Sequence, residues 1–167
     1  MQIRILSADD VRACVDMPAA IYAMREAFAA LSAQEATVPM RLALETEHGV
    51  SLFMPAHLRE SGNAGAKVVS VNPGNAARGL PAIHAVVLVL DVLTGRPTAL
   101  MDGTWLTALR TGAVGGLAAD LLARSDAKTV ALSGRACKLG RSSRRSGACA
   151  RSRRYGWFRG AERPRIA

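Results

Sequence analysis

The spacing of apolar positions changes period along the chain, and each change marks an element. "LSADDVRACV" places Ser7 three residues before Asp10, a variant of the capping box that starts helices. "DMPAAIYAMREAFAALSAQ" then sets Ile21, Met24, Phe28 and Leu31 on one stripe, with Pro18 allowed in the first turn, which predicts an amphipathic helix. From Val38 the period shortens. "VPMRLALE", "VSLFMPAHL", "AGAKVVSVN" and "IHAVVLVLDV" read as strands, separated by the loop chemistry of "EHG", "ESGN" and "NPGNAARGLP". "DVLTGRPTALMDG" predicts a hairpin turning at Thr94-Gly95. "TWLTALRTGAVGGLAADLLAR" returns to a helix whose small residues allow close packing at some loss of intrinsic propensity. "AKTVALSG" is a short buried strand ending in glycine, which is how a dinucleotide-binding unit begins. The order is two helices, a meandering sheet, a helix and one strand that opens something new: an α/β fold. No internal repeat is visible.

Beyond Gly134 the pattern stops, and composition shows why. Residues 1–134 hold 11 Lys+Arg and 12 Asp+Glu, net −1, whereas residues 135–167 hold 11 and 1, net +10. The formal charge of +9 therefore belongs to the tail and says nothing about the partners of the body. Half of the chain is hydrophobic, enough for a real core within about one domain. No charged and then apolar leader opens the sequence, and "AIHAVVLVLDVL" is too short and too interrupted for a membrane span, so the expected location is the cytoplasm. Three cysteines, Cys14, Cys137 and Cys149, suggest neither a disulfide framework nor a zinc site. No HExxH, H-x-x-x-H or CxxC spacing occurs, and no metal is assigned.

Candidate chemistry rests on basic residues in apolar surroundings. Lys67 lies inside the strand-like "AGAKVVSVNPGN", Arg41 between Met40 and Leu42 in another strand, and Arg110 on a helix face beside small residues. Each has two readings: a cation that snorkels to solvent, or one that faces a carboxylate or phosphate. Three such cations without an obvious acidic partner suggest an anion site. His84, at the head of the most apolar strand, reads as packed or hydrogen-bonded rather than as a general base. His48 and His57 lie near turns or strand ends, and Asp102 in "MDG" reads as a turn residue. Ser70 and Ser133 have no triad context.

Taken together, "AGAKVVSVNPGN", "GLPAIHAVVLVLDVLTGRPTALMDG" and "LTALRTGAVGGLAADLLAR" closely resemble the ornithine cyclodeaminase/mu-crystallin family, with a modest lean in "VSVNPGN", "GLP" and "RTGAVGG" toward its alanine dehydrogenase branch. The likeness spans roughly residues 1–134. It implies a substrate-binding and dimerisation domain over residues 1–126 and the first strand of a Rossmann domain over residues 127–134. The complete family member would be an NAD- or NADP-dependent dehydrogenase, ketimine reductase or cyclodeaminase acting on an amino acid or cyclic imine. By the same resemblance, Arg41, Lys67 and Arg110 bind the substrate carboxylate. Lys67 also polarises the reacting imine or amine, as the catalytic residue. Arg110 with Thr111 lies toward the cofactor phosphates, and Gly134 matches the first glycine of the cofactor-binding turn. A homodimer through the N-terminal domain is implied, with no membrane and no nucleic-acid partner.

The family's next motif is G-A-G-x-Q-A, but "LSGRACKLGRSS" leaves it after Gly134. "RACKLGRSSRRS" can be encoded so that the same bases, read two positions on, give G-V-Q-A-R-T-Q-L-E-A-V, which restores the glycine-glutamine motif and a helix start. The loss of one G after the Gly134 codon suffices. Residues 135–167 are thus expected to be a basic, disordered, out-of-frame tail. The chain as written is expected to be inactive and to bind no cofactor. Two alternatives stand beside this reading. One is a non-catalytic dimerisation or binding domain. The other is a nucleic-acid arm in which Tyr155, Trp157 and Phe158 stack on bases among arginines.

Overall fold

The computed structural model describes residues 2–124, 126, 129–131 and 157–159. A short strand β1, Arg4–Leu6, leads into helix α1, Ala8–Cys14, and helix α2, Met17–Ser32. Ser7 caps α1: its hydroxyl accepts from the Asp10 amide, and the Asp10 carboxylate accepts from the Ser7 amide at 2.8 Å. The Ser7 hydroxyl, followed by the Ser7 amide, holds the Asp10 carboxyl below its ordinary value. Asp16 caps α2, with Pro18 in the first turn, where its missing N–H costs nothing.

Seven strands form one sheet. After β2, Ala36–Thr37, and β3, Leu42–Thr46, come four long antiparallel neighbours: β4, Gly49–Leu58; β5, Asn63–Val71; β6, Ile83–Asp91; and β7, Pro97–Asp102. β1 closes one edge by pairing parallel with β7. On the other edge β3 lies along the first half of β4, and β2 along its end. The hairpin at Thr94-Gly95 forms as expected. Asp91 accepts from the Thr94 amide and hydroxyl, the latter bond lowering its pKa most, and Gly95 takes a left-handed conformation that suits glycine.

Helix α3, Gly103–Leu122, starts directly at the end of β7, and Asp102 is its cap, accepting from the Trp105 amide at 2.8 Å. Asp102 is therefore the turn residue that the sequence suggests. Gly103 is demanded by packing: a Cβ there would lie 2.9 Å from the Ala85 carbonyl carbon and the Val86 nitrogen. Gly103→Ala is expected to cost about 1–3 kcal/mol, read as a lower thermal midpoint. An unchanged midpoint would contradict the close approach.

The core is a helix pair on a sheet. Ala20 of α2 packs on Leu109 and Ala113 of α3, with Met17, Ile21, Met24, Trp105 and Leu106 around them. Phe28 and Leu31 depart from the expected stripe, since both are exposed. Arg25 already meets Asp120 at 2.9 Å near the end of α3, so the last turn of α2 overhangs its partner. Strand alternation gives the sheet two faces. Leu52, Met54, Lys67, Val69, Ala85 and Val87 share the face that α3 covers, where Val69 is buried. Leu42, Phe53, Val68 and Val86 share the other.

Three features differ from expectation. β1 is too short to announce itself by alternation. Val38–Arg41 is not a strand, so Arg41 lies one residue before β3 rather than within it. A strand β8, Thr129–Ala131, occurs where "AKTVALSG" predicts one, but it pairs antiparallel with β9, Trp157–Arg159, a partner that no pattern in the sequence suggests. Those three residues are thus placed in a strand, whereas the rest of the 135–167 tail lies outside the described residues, as do Gly134, Cys137 and Cys149.

Candidate functional site

The site is written in the register of the outer strands. Met54 of β4 pairs directly with Lys67 of β5. On its other side β3 pairs Leu42 with Phe53, and Arg41 lies one residue before that pairing begins, outside the sheet. The segment Val38–Arg41 crosses from the register of β2, where Thr37 meets His57, to that of β3, where Leu42 meets Phe53. Pro39 lies within that crossing and cannot donate to a ladder.

Lys67 is half-buried on the helix-covered face, and Arg41 is exposed. Arg110 is exposed on α3, about a quarter turn from Leu109, which packs on α2. Thr111 is half-buried, and its hydroxyl donates to the Thr107 carbonyl at 2.7 Å. One turn back, Thr107 carries a hydroxyl oxygen that is buried and has no hydrogen-bond partner in the structure. The structure thus puts Lys67 within β5 and Arg41 just before β3, on the far side of β4. It leaves Arg110 and Thr111 on the helix that packs over the same sheet, and the fourth expected residue, Gly134, falls outside the described residues.

Sequence reasoning missed Met54 and Thr107. Pairing register is set by tertiary contacts, so nothing in "FMPAH" alone shows that its methionine stands opposite Lys67. His84 also differs from its reading: it is exposed rather than packed. It pairs with Ser70, on the face where the Ser51 and Ser70 hydroxyls hydrogen-bond at 2.8 Å. A depression of about 410 Å³ lies elsewhere, at the far end of β5, lined by Glu47, His48, Asn72, Asn75 and Arg78 among others. It is wide open, and Asn75 is committed to holding the Pro81 carbonyl, so the loop's polarity serves its own turn. Lys67 in the apolar strand β5, rather than this depression, is the chemically distinctive feature. Among the described residues no group of three or more His, Cys, Asp or Glu gathers to hold a metal ion, and no helix is long and apolar enough to cross a membrane.

The fold is a mixed α/β domain on a mostly antiparallel sheet, with Lys67 on the face that α3 covers. The chain belongs to the ornithine cyclodeaminase/mu-crystallin family, whose profile matches residues 1–143. It is 42% identical to the alanine dehydrogenase of Archaeoglobus fulgidus over 126 residues, which are 75% of this chain and 38% of that protein. An archaeal alanine dehydrogenase dimer with bound NAD superposes with a TM-score of 0.73 at 41% identity, covering 77% of this chain and 39% of that one. The Thermococcus litoralis Delta(1)-pyrroline-2-carboxylate reductase, in complex with NADH and L-proline, does so with a TM-score of 0.72 at 41% identity, over 75% and 40%. The chain spans about two fifths of the length of these relatives.

Proposed function

We propose that this chain is the substrate-binding part of an NAD(P)-dependent oxidoreductase acting on a 2-amino or 2-imino acid. The observation that supports the reading is Lys67, half-buried on the helix-covered face of β5 and paired with Met54, with Arg41 one residue before β3. Two cations can hold a carboxylate by charge-assisted hydrogen bonds and so fix the orientation of its Cα. In this reading Lys67 also polarises the imine nitrogen, and Arg110 and Thr111 stand on the side of the cofactor. Relatives solved with NAD, or with NADH and L-proline, supply the substrate and cofactor classes.

A nicotinamide cofactor supplies the hydride in such enzymes. In this reading the described residues bind and orient the substrate, and the Thr111 hydroxyl, which donates to the Thr107 carbonyl, is not a donor to the cofactor. We propose residues 1–126 as the substrate and dimerisation domain, with the segment from residue 127 as the start of the cofactor domain. The 167-residue chain by itself is inactive.

Titration of the chain with L-proline, followed by NMR, tests the carboxylate site. Lys67→Met removes the charge and keeps the length. It is expected to weaken binding about 10- to 100-fold, as loss of a charged hydrogen bond does, and Arg41→Met is expected to act in the same direction. Equal affinity of wild type and Lys67→Met would sink the assignment.

A further inference from the structure

We infer that the sheet face away from α3 is an acid-labile self-association surface, on which protonation of His57 and His84 drives two copies apart. That assignment builds on the reading of residues 1–126 as a dimerisation domain. Pairing register defines the face. His84 ends a row with Leu44, Ser51 and Ser70, and His57 stands at the opposite end beside Ala64 and Leu90. Ile5 of β1, opposite Leu100, carries the face to the other edge. Ile5, Leu42, Leu44 and Phe53 on it are all exposed. Among the described residues no Lys, Arg or Glu occupies a paired position on this side of the sheet. Its one carboxylate is Asp102, opposite Val86, which already accepts from the Trp105 amide. Among the described residues, the two histidines are thus the groups on this face whose charge changes between about pH 8 and pH 5.

From β1 to β3 the face is five strand spacings wide, and β5 is nine residues long, so it measures roughly 24 Å by 30 Å. That approaches the about 800 Å² per partner of a stable interface. A face so poor in charge offers little to a nucleic acid or to a strongly acidic or basic protein. A second copy of the same apolar surface is the partner it fits. A neutral imidazole, apolar in body and polar at its tip, tolerates such covering. An imidazolium does not: it loses water and, with Asp102 committed, meets no free carboxylate on the face. The charged groups nearby lie in turns at the sheet ends and are exposed: Glu35, Arg59 and Glu60 by His57, and Glu47, His48 and Arg78 beyond Ser70. They act on the single copy and on the pair alike. Each copy brings two histidines, so a two-fold pair gathers four cations in acid. The single copy therefore takes up protons more readily than the pair, and falling pH favours dissociation.

The experiment is sedimentation of the 167-residue chain at about pH 8 and about pH 5.5, with circular dichroism recorded at both. The dissociation constant is expected to rise on the order of 100-fold in acid, as about half a unit of differential proton affinity on each of four imidazoles gives. A variant carrying His57→Gln and His84→Gln keeps polar, neutral side chains there and is expected to stay dimeric at both pH values. His48→Gln, off the face, is expected to respond as wild type does. An equal dissociation constant for wild type at both pH values overturns the acid-lability and leaves the dimerisation reading standing. So does a double variant that dissociates in acid as wild type does. Dissociation that accompanies loss of the helical signal also counts against it, because unfolding then parts the copies. A wild-type monomer at the higher pH brings down the dimerisation reading and the acid-lability together.

Discussion

Insertion of one G after the Gly134 codon, with the downstream DNA carried in the restored frame, is expected to give NADH-dependent turnover of a 2-imino acid. The 167-residue chain is expected to give none. The argument begins at the end of the likeness. The body carries nearly balanced charge, and the tail is net +10, a switch that a shifted frame in GC-rich DNA produces because its codons favour Arg, Gly, Ala and Ser. The shifted reading of "RACKLGRSSRRS" restores a glycine-glutamine turn at the position where relatives of this fold need a pyrophosphate seat. In the proposed reading that seat is what presses a nicotinamide against the Cα that Arg41 and Lys67 would orient. Loss of such positioning removes roughly a thousandfold in rate or more. NADH consumption with Δ1-pyrroline-2-carboxylate, or with pyruvate and ammonia, reads the difference. Turnover by the 167-residue chain would refute the proposal. So would a restored chain that carries the full glycine-rich turn and stays inert. The nucleic-acid alternative predicts instead a salt-sensitive affinity for RNA or DNA that disappears with residues 135–167.

Much of this architecture is legible in the sequence because local chemistry and tertiary demand agree. Ser7 and Asp10 announce α1, Thr94-Gly95 announces the β6–β7 turn, and the β-rich runs from Val50 to Val92 form β4 to β6 of the sheet. What stays hidden depends on partners distant in the chain. β1 is stabilised by pairing with Ala99–Met101, nearly a hundred residues on. Phe28 and Leu31 look like core because periodicity cannot show that α3 ends at Leu122, short of covering them. The site divides in the same way. Lys67 and Arg41 stand out as cations in apolar strings, but that Lys67 faces Met54 while Arg41 falls just outside β3 shows only in the pairing register. That register turns on a crossing that the sequence shows merely as one proline, Pro39.

Arginine at Leu42 and Phe53 together is expected to convert a homodimer of this domain into a monomer. Leu42 and Phe53 are cross-strand partners on the sheet face away from α3, and they remain 67% and 37% exposed, with Leu44 at 54% beside them. An apolar surface of this kind on a sheet wants covering, and a relative of the same fold is a dimer. In a two-fold interface each substitution counts twice. Four charges placed against apolar surface are therefore expected to raise the dissociation constant about a thousandfold or more, which is about 4 kcal/mol. Sedimentation at tens of micromolar, with circular dichroism as the check on folding, reads the outcome. A wild-type monomer, or a folded double variant that stays dimeric, would defeat the prediction. The stake extends to the site, because among the described residues β3 pairs with β4 alone and Arg41 lies immediately before it. A partner that covers Leu42 and Leu44 would hold that edge strand, and with it the position of Arg41. The monomeric variant is therefore expected to bind L-proline more weakly as well, although neither substitution lies on the face that carries Lys67.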